Sequence, residues 1–305
     1  MTTPWGPTSL KFLRRSRLRR LIPLGSSSSS DEIVHLRRSR GVGRASADLP
    51  RDVLIRLIDC PELPLRAQTR DIIKAGRTAV VVRADMPFGS RMVSVAYKQV
   101  HRRTFVKVLT AVLRGNRTLR SWRMGRKLLA ADIPTARPLA VVTPRWYRPD
   151  QPSYIVTEWI VGGENITQLG DRLKKLAPRD RARQLCEAAE ILGQLIGRLH
   201  AAGFSHRDLK AGNVMVIPRA GRLQSAVIDL DGVSEWWRVP LWARLRNLAR
   251  FVVGAETSIE LTHGVRLRFL QAYLAASGLT DRDWQPIWRR LARRVRQVQR
   301  RKSAS

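Results

Sequence analysis

Apolar residues are arranged differently in the two halves of this chain, and short apolar runs dominate the first half. Short apolar runs with polar or glycine residues at their ends predict strands at Asp71–Ile73, Ala79–Val82, Val93–Lys98, Leu139–Val142 and Tyr154–Thr157. Short connections separate the first three runs, as expected for antiparallel neighbours. The first half of the chain therefore predicts a small antiparallel sheet.

The second half has a mainly helical pattern. Leu185–Leu199 carries apolar residues at helical spacing, and Gly203 ends that helix. Two short strands follow, at Val214–Ile217 and Ala226–Ile228, with proline and glycine in the turn between them. One further helix, Ser121–Ala131, is predicted within the first half. Together the two patterns predict an α+β fold.

The polar stretch between the buried helix and the hairpin carries the candidate chemistry. It reads His206-Arg207-Asp208-Leu209-Lys210-Ala211-Gly212-Asn213. After the hairpin the chain continues Val227-Ile228-Asp229-Leu230-Asp231-Gly232. The first stretch fits the kinase catalytic-loop pattern H-R-D-x-x-x-x-N at every specified position. Phosphoryl transfer needs a carboxylate that accepts the proton of the attacking hydroxyl, and oxygen ligands that hold Mg²⁺ against nucleotide phosphates. Asp208 is the predicted base with Lys210 beside it, and Asn213 and Asp229 are the predicted metal ligands.

Residues that would bind a nucleotide occur earlier in the chain. Lys98 ends the run Val-Ser-Val-Ala-Tyr-Lys, which is similar to the kinase strand whose lysine pairs with the α/β-phosphates of ATP. Gly76 lies between the first two predicted strands, where kinases have a phosphate loop with three glycines. The backbone at Glu158 and Ile160, at the end of the last strand, is predicted to bind the adenine edge and to form the hinge between two lobes.

The charge of the chain is extreme. Its 305 residues carry a formal net charge of +33 and give a pI of about 11.7. A field of this size attracts polyanions such as an anionic membrane, a phosphorylated glycolipid or nucleic acid, and composition alone does not choose among them. Only Cys60 and Cys186 are cysteines, which suits a reducing, cytoplasmic setting. No apolar run is long enough to span a bilayer.

Both ends of the chain are basic. Residues 1–52 are predicted to form a poorly ordered segment, within which Lys11–Ile22 is either a basic amphipathic helix or a solvated tail. Residues 281–305 are predicted to form a basic C-terminal helix or tail, and its apolar stripe is expected to dock on the preceding residues. Between the two ends, residues 53–157 and 158–280 are predicted to be a small and a large lobe.

Stretches outside the catalytic loop resemble the bacterial lipopolysaccharide kinase family, whose members phosphorylate heptose or Kdo of the lipopolysaccharide core. The resemblance covers roughly residues 71–277, and the stretches that carry it are Ile133–Leu139, Ile228–Gly232 and Arg268–Leu274. It implies a two-lobed protein-kinase-like fold, with a small antiparallel-sheet lobe and a mainly helical large lobe. It also implies ATP and Mg²⁺ as cofactors, with Asp208 as the base, Asn213 and Asp229 at the metal and Lys98 at ATP.

One residue of the usual kinase site is missing. Kinases pair the strand lysine with a glutamate on the next helix, but between Lys98 and Glu158 the only acids are Asp132 and Asp150. Ser121 stands where relatives would place the acid. This leaves three interpretations open. The favoured one is a kinase that phosphorylates a sugar hydroxyl of a membrane glycolipid, peripheral on the inner face of the cytoplasmic membrane.

The two alternatives are a protein kinase and a catalytically weak, basic kinase-like module that binds nucleic acid or an anionic membrane. Against a protein kinase, no A-P-E segment follows Asp229, and little chain remains for a peptide-binding platform. For a nucleic-acid-binding module the main support is the charge, so nucleic acid is the less favoured partner. Salt-sensitive pelleting with anionic vesicles or RNA, beside ATP turnover, separates these interpretations.

Overall fold

The computed structural model describes residues 32–66, 71–88, 91–101, 116–148, 150–279 and 284–303. Within these ranges the chain forms two compact units. The sheet unit contains residues up to 130 together with 135–160, and the helical unit contains 131–134 and the residues from 161 onward. The chain passes between the units at 160/161, three residues after the predicted end of the small lobe.

The sheet unit is built on an antiparallel sheet with the strand order β1-β2-β6-β7-β5-β4-β3. Its strands are β1 (Ile33–Arg37), β2 (Gly41–Ser46), β3 (Asp71–Ala75), β4 (Ala79–Phe88), β5 (Arg91–Val100), β6 (Pro138–Pro144) and β7 (Ser153–Glu158). Its helices are α1 (Arg51–Asp59), the one-turn α2 (Leu63–Arg66) and α3 (Arg117–Ala130). All five strands predicted for this part of the chain are present, with longer bounds.

The prediction that residues 1–52 are poorly ordered is wrong for 33–46, which form β1 and β2 at one edge of the sheet. Glycine and arginine obscured these strands in the sequence. At Gly43 a Cβ atom would lie 2.7 Å from Ile58 and 2.9 Å from Leu54, so the glycine lets α1 pack directly on β2. The close approach of α1 therefore explains why a glycine-containing segment forms strand β2. The segment Lys11–Ile22 lies outside the described residues.

The two faces of the sheet pack against different helices. Leu54 and Ile58 of α1 share one buried cluster with Tyr97 and Val156. On the other face, α3 contributes Trp122 to a cluster with Val141 and Ile155. Alternate residues of a strand point to opposite faces, so the period of two in β7 serves both helices.

The helical unit contains five helices among the described residues. They are α4 (Ile166–Lys174), α5 (Pro178–Ala201), α6 (Leu241–Glu256), α7 (His263–Ser277) and α8 (Trp284–Ser303). Short strands complete the unit: β8 (Glu164–Asn165), β9 (Phe204–His206), β10 (Val214–Arg219), β11 (Arg222–Val227) and β12 (Val233–Glu235). They form the sheets β11-β10-β8 and β12-β9. No helix in the described ranges is long and apolar enough to cross a membrane.

Helix α5 lies against α7 at very short distance, because a Cβ at Gly193 would lie 2.4 Å from the carbonyl oxygen of Phe269. Helix α8 packs on α6 and buries Ile287, Leu291 and Val295. The described part of the predicted segment 281–305 is therefore a helix of the same unit as residues 161–279. Its apolar stripe docks as the spacing indicated.

Candidate active site in the helical unit

Two backbone pairings bring the catalytic-loop stretch and the Asp229 stretch together. Strand β9 pairs with β12, with His206 opposite Val233, and the Arg207 N–H donates to the Gly232 carbonyl at 2.8 Å. Further on, the Ile228 N–H donates to the Asn213 carbonyl at 2.9 Å. Since each stretch is held at both ends by the other, their polar side chains lie in one region of the helical unit.

Asp208 lies between two cations. Nη1 of Arg250 donates to Oδ1 of Asp208 at 3.2 Å, and Nζ of Lys210 lies 3.5 Å from Oδ2. Nearly half of the Asp208 side chain, 46%, remains exposed. Arg250 also donates from Nη1 to the carbonyl of Arg207 at 3.0 Å, which ties the guanidinium to the loop itself. The carboxylate is thus oriented by flanking positive charges and accessible from solvent.

Asn213 is buried with a defined amide orientation. Its Nδ2 donates to the Asp208 carbonyl at 2.9 Å, which leaves Oδ1 as the atom that can accept or ligate. Asp229 follows β11 and has left-handed backbone angles, φ 56° and ψ 63°. A non-glycine residue adopts this conformation at a cost, and such residues concentrate at functional sites.

These two side chains fit Mg²⁺. They offer one carboxylate and one amide oxygen, and no group of three or more His, Cys, Asp or Glu that could hold a metal occurs among the described residues. Mg²⁺ is usually held by one or two protein oxygens, with substrate phosphates and water completing its shell. By their chemistry, a carboxylate and an amide oxygen are compatible with a magnesium ion that is also bound by phosphates.

The pKa of His206 indicates that the acidic residues of both stretches lie near its ring. Burial is the largest influence and lowers the pKa of its imidazole. Its hydrogen bond to the Ile228 carbonyl and the charges of Asp229, Asp208 and Asp231 act in the opposite direction. All three carboxylates are thus within electrostatic reach of one buried ring.

A buried amide in α6 holds the start of the loop. Oδ1 of Asn247 accepts hydrogen bonds from the His206 N–H at 3.0 Å and from Oγ of Ser205 at 3.1 Å. It lies at 3.0 Å from Nε2 of His200, whose Nδ1 is 3.0 Å from the Tyr273 hydroxyl. With Asn247 as an acceptor, His200 carries its proton on Nε2 and accepts from Tyr273 at Nδ1. These residues link α5, α6 and α7 to the loop.

Asn247 and Arg250 were not predicted from the sequence. The available signal was an asparagine at helical spacing from the apolar Ala243 and Phe251, since a buried asparagine on that face needs hydrogen-bond partners. Arg250 lies one turn further on α6 and gave no signal among the many arginines of the chain. Their roles depend on how α6 packs against the loop.

The other predicted residues lie in the sheet unit. Lys98, in β5, is opposite Val81 on one side and Ile155 on the other. Since directly opposed residues share a face of the sheet, Lys98 lies on the face that α3 covers. Helix α3 carries no acid there, and Ser121 is buried, with its hydroxyl donating to the Arg117 carbonyl. The helix that covers the Lys98 face of the sheet, α3, therefore has no glutamate, in agreement with the sequence.

Gly76 lies in the turn between β3 and β4. Its N–H donates to the Ala79 carbonyl at 3.1 Å, and its φ is not positive. A Cβ at this position would make only an ordinary contact, 3.5 Å from the same oxygen. The fold therefore does not require glycine here, although a hairpin tip is the place where a phosphate loop was predicted.

The predicted adenine-binding residues follow β7. The N–H of Glu158 donates to the Arg137 carbonyl at 2.8 Å, and its carboxylate accepts from Nε of Arg137 at 3.1 Å. Within the described part of the chain, the backbone N–H and C=O of Ile160 have no hydrogen-bond partner. The structure thus places Asp208, Lys210, Asn213 and Asp229 together in one unit, and Lys98, Gly76, Glu158 and Ile160 in the other.

Comparisons with known proteins agree with this architecture. A family model described as "Lipopolysaccharide kinase (Kdo/WaaP) family" matches residues 76–290. A search of curated protein sequences found no match. Among solved structures, one described as "WaaP in complex with acyl carrier protein" is 21% identical, with a TM-score of 0.55, over 77% of this chain and 88% of that one.

A second solved structure, the BubR1 kinase domain, is 11% identical with a TM-score of 0.50, over 91% of this chain and 84% of that one. At these identities the two structures establish the α+β, protein-kinase-like fold, as predicted. The family model covers more than half of the chain and confirms the predicted family and phosphotransferase class. The chain belongs to the lipopolysaccharide kinase (Kdo/WaaP) family and is a kinase.

Proposed function

We propose that this kinase transfers the γ-phosphate of ATP, with Mg²⁺, to a sugar hydroxyl of a membrane glycolipid such as the lipopolysaccharide core. The observation that carries the proposal is the mutual backbone pairing of the two stretches, which brings Asp208, Asn213 and Asp229 into one region of the helical unit. Family membership supports the acceptor class.

Asp208 is the proposed general base. Its exposed carboxylate accepts the proton of the acceptor hydroxyl as that oxygen bonds to the γ-phosphorus, and the bond from phosphorus to the bridging oxygen of ADP breaks. Lys210 lies beside Asp208 and offers a positive charge to the transferred phosphoryl group. Asn213 and Asp229 are the residues that would hold Mg²⁺, and the ion would supply positive charge to the phosphates.

The sheet unit is the proposed source of the nucleotide contacts. Lys98 supplies a cation for the α/β-phosphates, and the backbone of the turn at Gly76 covers phosphates. The backbone at Glu158 and Ile160 binds the adenine edge. The unused donor and acceptor of Ile160 support this assignment, since a ligand can satisfy both groups.

One observation favours a second candidate, a catalytically weak kinase-like module. Helix α3 has no acid to pair with Lys98, and in kinases that pair must be in place for full activity. The intact donor set around Asp208 favours an active enzyme. Turnover of ATP with and without an acceptor decides between the two.

The proposed location is the inner face of the cytoplasmic membrane, where the enzyme binds peripherally. Helix α8 buries one stripe on α6 and exposes arginines along the rest of its length, including Arg289, Arg293, Arg296 and Arg300. Each such cation near an anionic surface contributes about 1 kcal/mol, which salt screens. The segment Lys11–Ile22 is the second proposed contact.

This location is tested by truncation. Deleting residues 1–31 keeps β1 and β2, whereas deletion to 52 would remove both strands from the sheet. The 1–31 deletion is expected to weaken binding to vesicles with anionic lipid and turnover of a lipid-embedded acceptor. Turnover of a soluble acceptor fragment is expected to stay the same. Unchanged vesicle binding at physiological salt would contradict the N-terminal contact.

An acyl carrier protein is a further proposed partner, because WaaP has been solved in complex with one. The large positive charge of this chain would favour an anionic protein partner. Co-elution of the two proteins on size exclusion at low and physiological salt tests the interaction, and separate elution at both salt concentrations would contradict it.

The phosphotransfer proposal is tested with purified protein, Mg²⁺, ATP labelled at the γ-position and lipopolysaccharide core oligosaccharides. Label is expected in an oligosaccharide that gains one phosphoryl group, and fragmentation locates the sugar and hydroxyl. A peptide mixture and RNA serve as comparison substrates. Label in the peptides and none in the oligosaccharides would contradict the proposal and indicate a protein kinase.

A further inference from the structure

Four arginines of the helical unit lie within electrostatic reach of one another, and one of them, Arg250, contacts Asp208. They come from different elements: Arg207 from the loop, Arg246 and Arg250 from α6, and Arg294 from α8. The pKa of the Arg246 guanidinium is lowered, first by burial and then by the charges of Arg250, Arg207 and Arg294. The contacts of Arg250 with Asp208 and with the Arg207 carbonyl fix this arginine cluster next to the proposed base.

Without a bound anion, such a cluster of positive charges costs free energy. Like charges repel, and the partly buried Arg246 is less well solvated than a surface arginine. Within the described residues, its buried Nε has no hydrogen-bond partner. An anion that enters the cluster would remove this repulsion and would satisfy guanidinium donors.

Exposed tryptophans lie next to the arginine cluster. The guanidinium of Arg246 lies over the ring of Trp242 at 5.2 Å, and Trp242 contacts Trp236 edge to face at 5.9 Å. Trp242 is 57% exposed, and Trp237 is fully exposed. A guanidinium stacked on an indole keeps its in-plane donors available for bidentate binding of a phosphate or carboxylate. Exposed indoles suit a sugar ring or the interface of a membrane.

We propose that the arginine cluster and the adjoining tryptophans form the acceptor-binding face, and that they recognise a phosphate or carboxylate next to the hydroxyl that is phosphorylated. The inference rests on the proposed function and adds the residues that would bind the acceptor. Because Arg250 contacts Asp208 directly, an anion held by the cluster lies beside the carboxylate that receives the hydroxyl proton. The acceptor is thus a sugar that already carries a negative charge near its reactive hydroxyl.

The test compares acceptors with and without their anionic groups. The probes are lipopolysaccharide core oligosaccharide, the same material after phosphatase treatment, and the same material after methyl esterification of its carboxylates. For Arg246→Gln we expect the KM of the intact acceptor to rise about 10- to 100-fold, the loss typical of a charge-assisted hydrogen bond. The KM of ATP should not change. The effect should vanish with whichever treated acceptor has lost the recognised group.

A matched control removes the same charge elsewhere. Arg179 is exposed in the first turn of α5, a 24-residue helix whose other end leads to the loop, so it lies roughly 30 Å along that helix from the site. Arg179→Gln should leave both KM values unchanged. Arg246→Lys keeps the charge without the planar guanidinium and should give a smaller increase in the KM of the acceptor. If Arg246→Gln does not fold, Trp242→Phe takes its place in the same comparison.

Three results would overturn the inference. They are an equal loss in Arg179→Gln, a rise in the KM of ATP in place of that of the acceptor, or an unchanged effect of Arg246→Gln on both treated acceptors. If the wild-type protein phosphorylates no oligosaccharide, the proposed function fails separately. Equilibrium binding of intact and treated oligosaccharide to wild type and Arg246→Gln then tests the face, and equal affinities would overturn it.

Discussion

The side-chain oxygen of Asn247 accepts a 3.0 Å hydrogen bond from the backbone N–H of His206, the first residue of the catalytic loop. The same oxygen also accepts from Ser205 and His200. Asn247→Leu would leave these buried donors without an acceptor. We expect a loss of at least about 2 kcal/mol in the free energy of unfolding, together with reduced turnover.

Asn247→Asp is the comparison variant, since it keeps an oxygen acceptor at the same place while adding a carboxyl group to a fully buried site, and it should retain more turnover than Asn247→Leu. Chemical denaturation measures the stability of both variants. Turnover in Asn247→Leu at a temperature where it remains folded separates loop positioning from stability. Wild-type stability and turnover in Asn247→Leu would show that the loop does not depend on α6.

Removing the proposed base should abolish transfer and spare nucleotide binding. For Asp208→Ala we expect kcat to fall about 10²- to 10⁴-fold, the usual contribution of a general base. Fluorescence titration with an ATP analogue should give an affinity near that of wild type. Asp180→Ala removes an exposed carboxylate from the start of α5 and should change neither quantity. Full turnover by Asp208→Ala would refute its role.

The proposed metal ligands are best tested at Asp229. Asparagine tolerates the left-handed backbone of this position, so Asp229→Asn removes the charge and leaves the local fold intact. We expect a higher Mg²⁺ concentration for half-maximal turnover. Asp132 has the same kind of backbone, φ 55°, outside the loop, and Asp132→Asn is therefore the control. An equal magnesium requirement in wild type and Asp229→Asn would place the metal elsewhere.

The buried His200 makes stability depend on pH. Burial lowers its pKa from 6.5 to about 3, so in mildly acidic solution the unfolded chain binds a proton that the folded protein does not. Above about pH 6.5 this residue does not lower the free energy of unfolding. As the pH falls from about 6.5 toward 3, it lowers the free energy of unfolding by about 1.4 kcal/mol per pH unit. Denaturant unfolding of wild type and His200→Gln at several pH values measures the difference. Parallel pH dependences would contradict the lowered pKa.

The close contact of α5 and α7 predicts a steric effect. In Gly193→Ala the new methyl group would meet the backbone oxygen of Phe269 at 2.4 Å, and we expect about 1–3 kcal/mol of destabilisation. Gly264, in the first turn of α7, has open space around it, so Gly264→Ala should be neutral or stabilising. Thermal unfolding compares the two, and equal melting temperatures would mean that the helices can separate at little cost.

The sequence by itself determined the features that local spacing encodes. Five strands of the sheet, the helix of Leu185–Leu199, the docking stripe of the last helix and the kinase family all follow from residues close together in the chain. The order of Asp208, Asn213 and Asp229 could also be predicted, because one loop and the following hairpin carry all three. Their roles stay predictions.

Only the tertiary structure decided the features that depend on contacts between distant residues. Strands β1 and β2 exist because α1 packs on a glycine-containing edge, which overrides the composition of that segment. Asn247 and Arg250 reach the loop because α6 lies against it, across about 40 residues of sequence. The arginine cluster likewise joins three elements that have no common periodicity. A repeating pattern shows which face of an element is buried, but it does not show which other element covers that face.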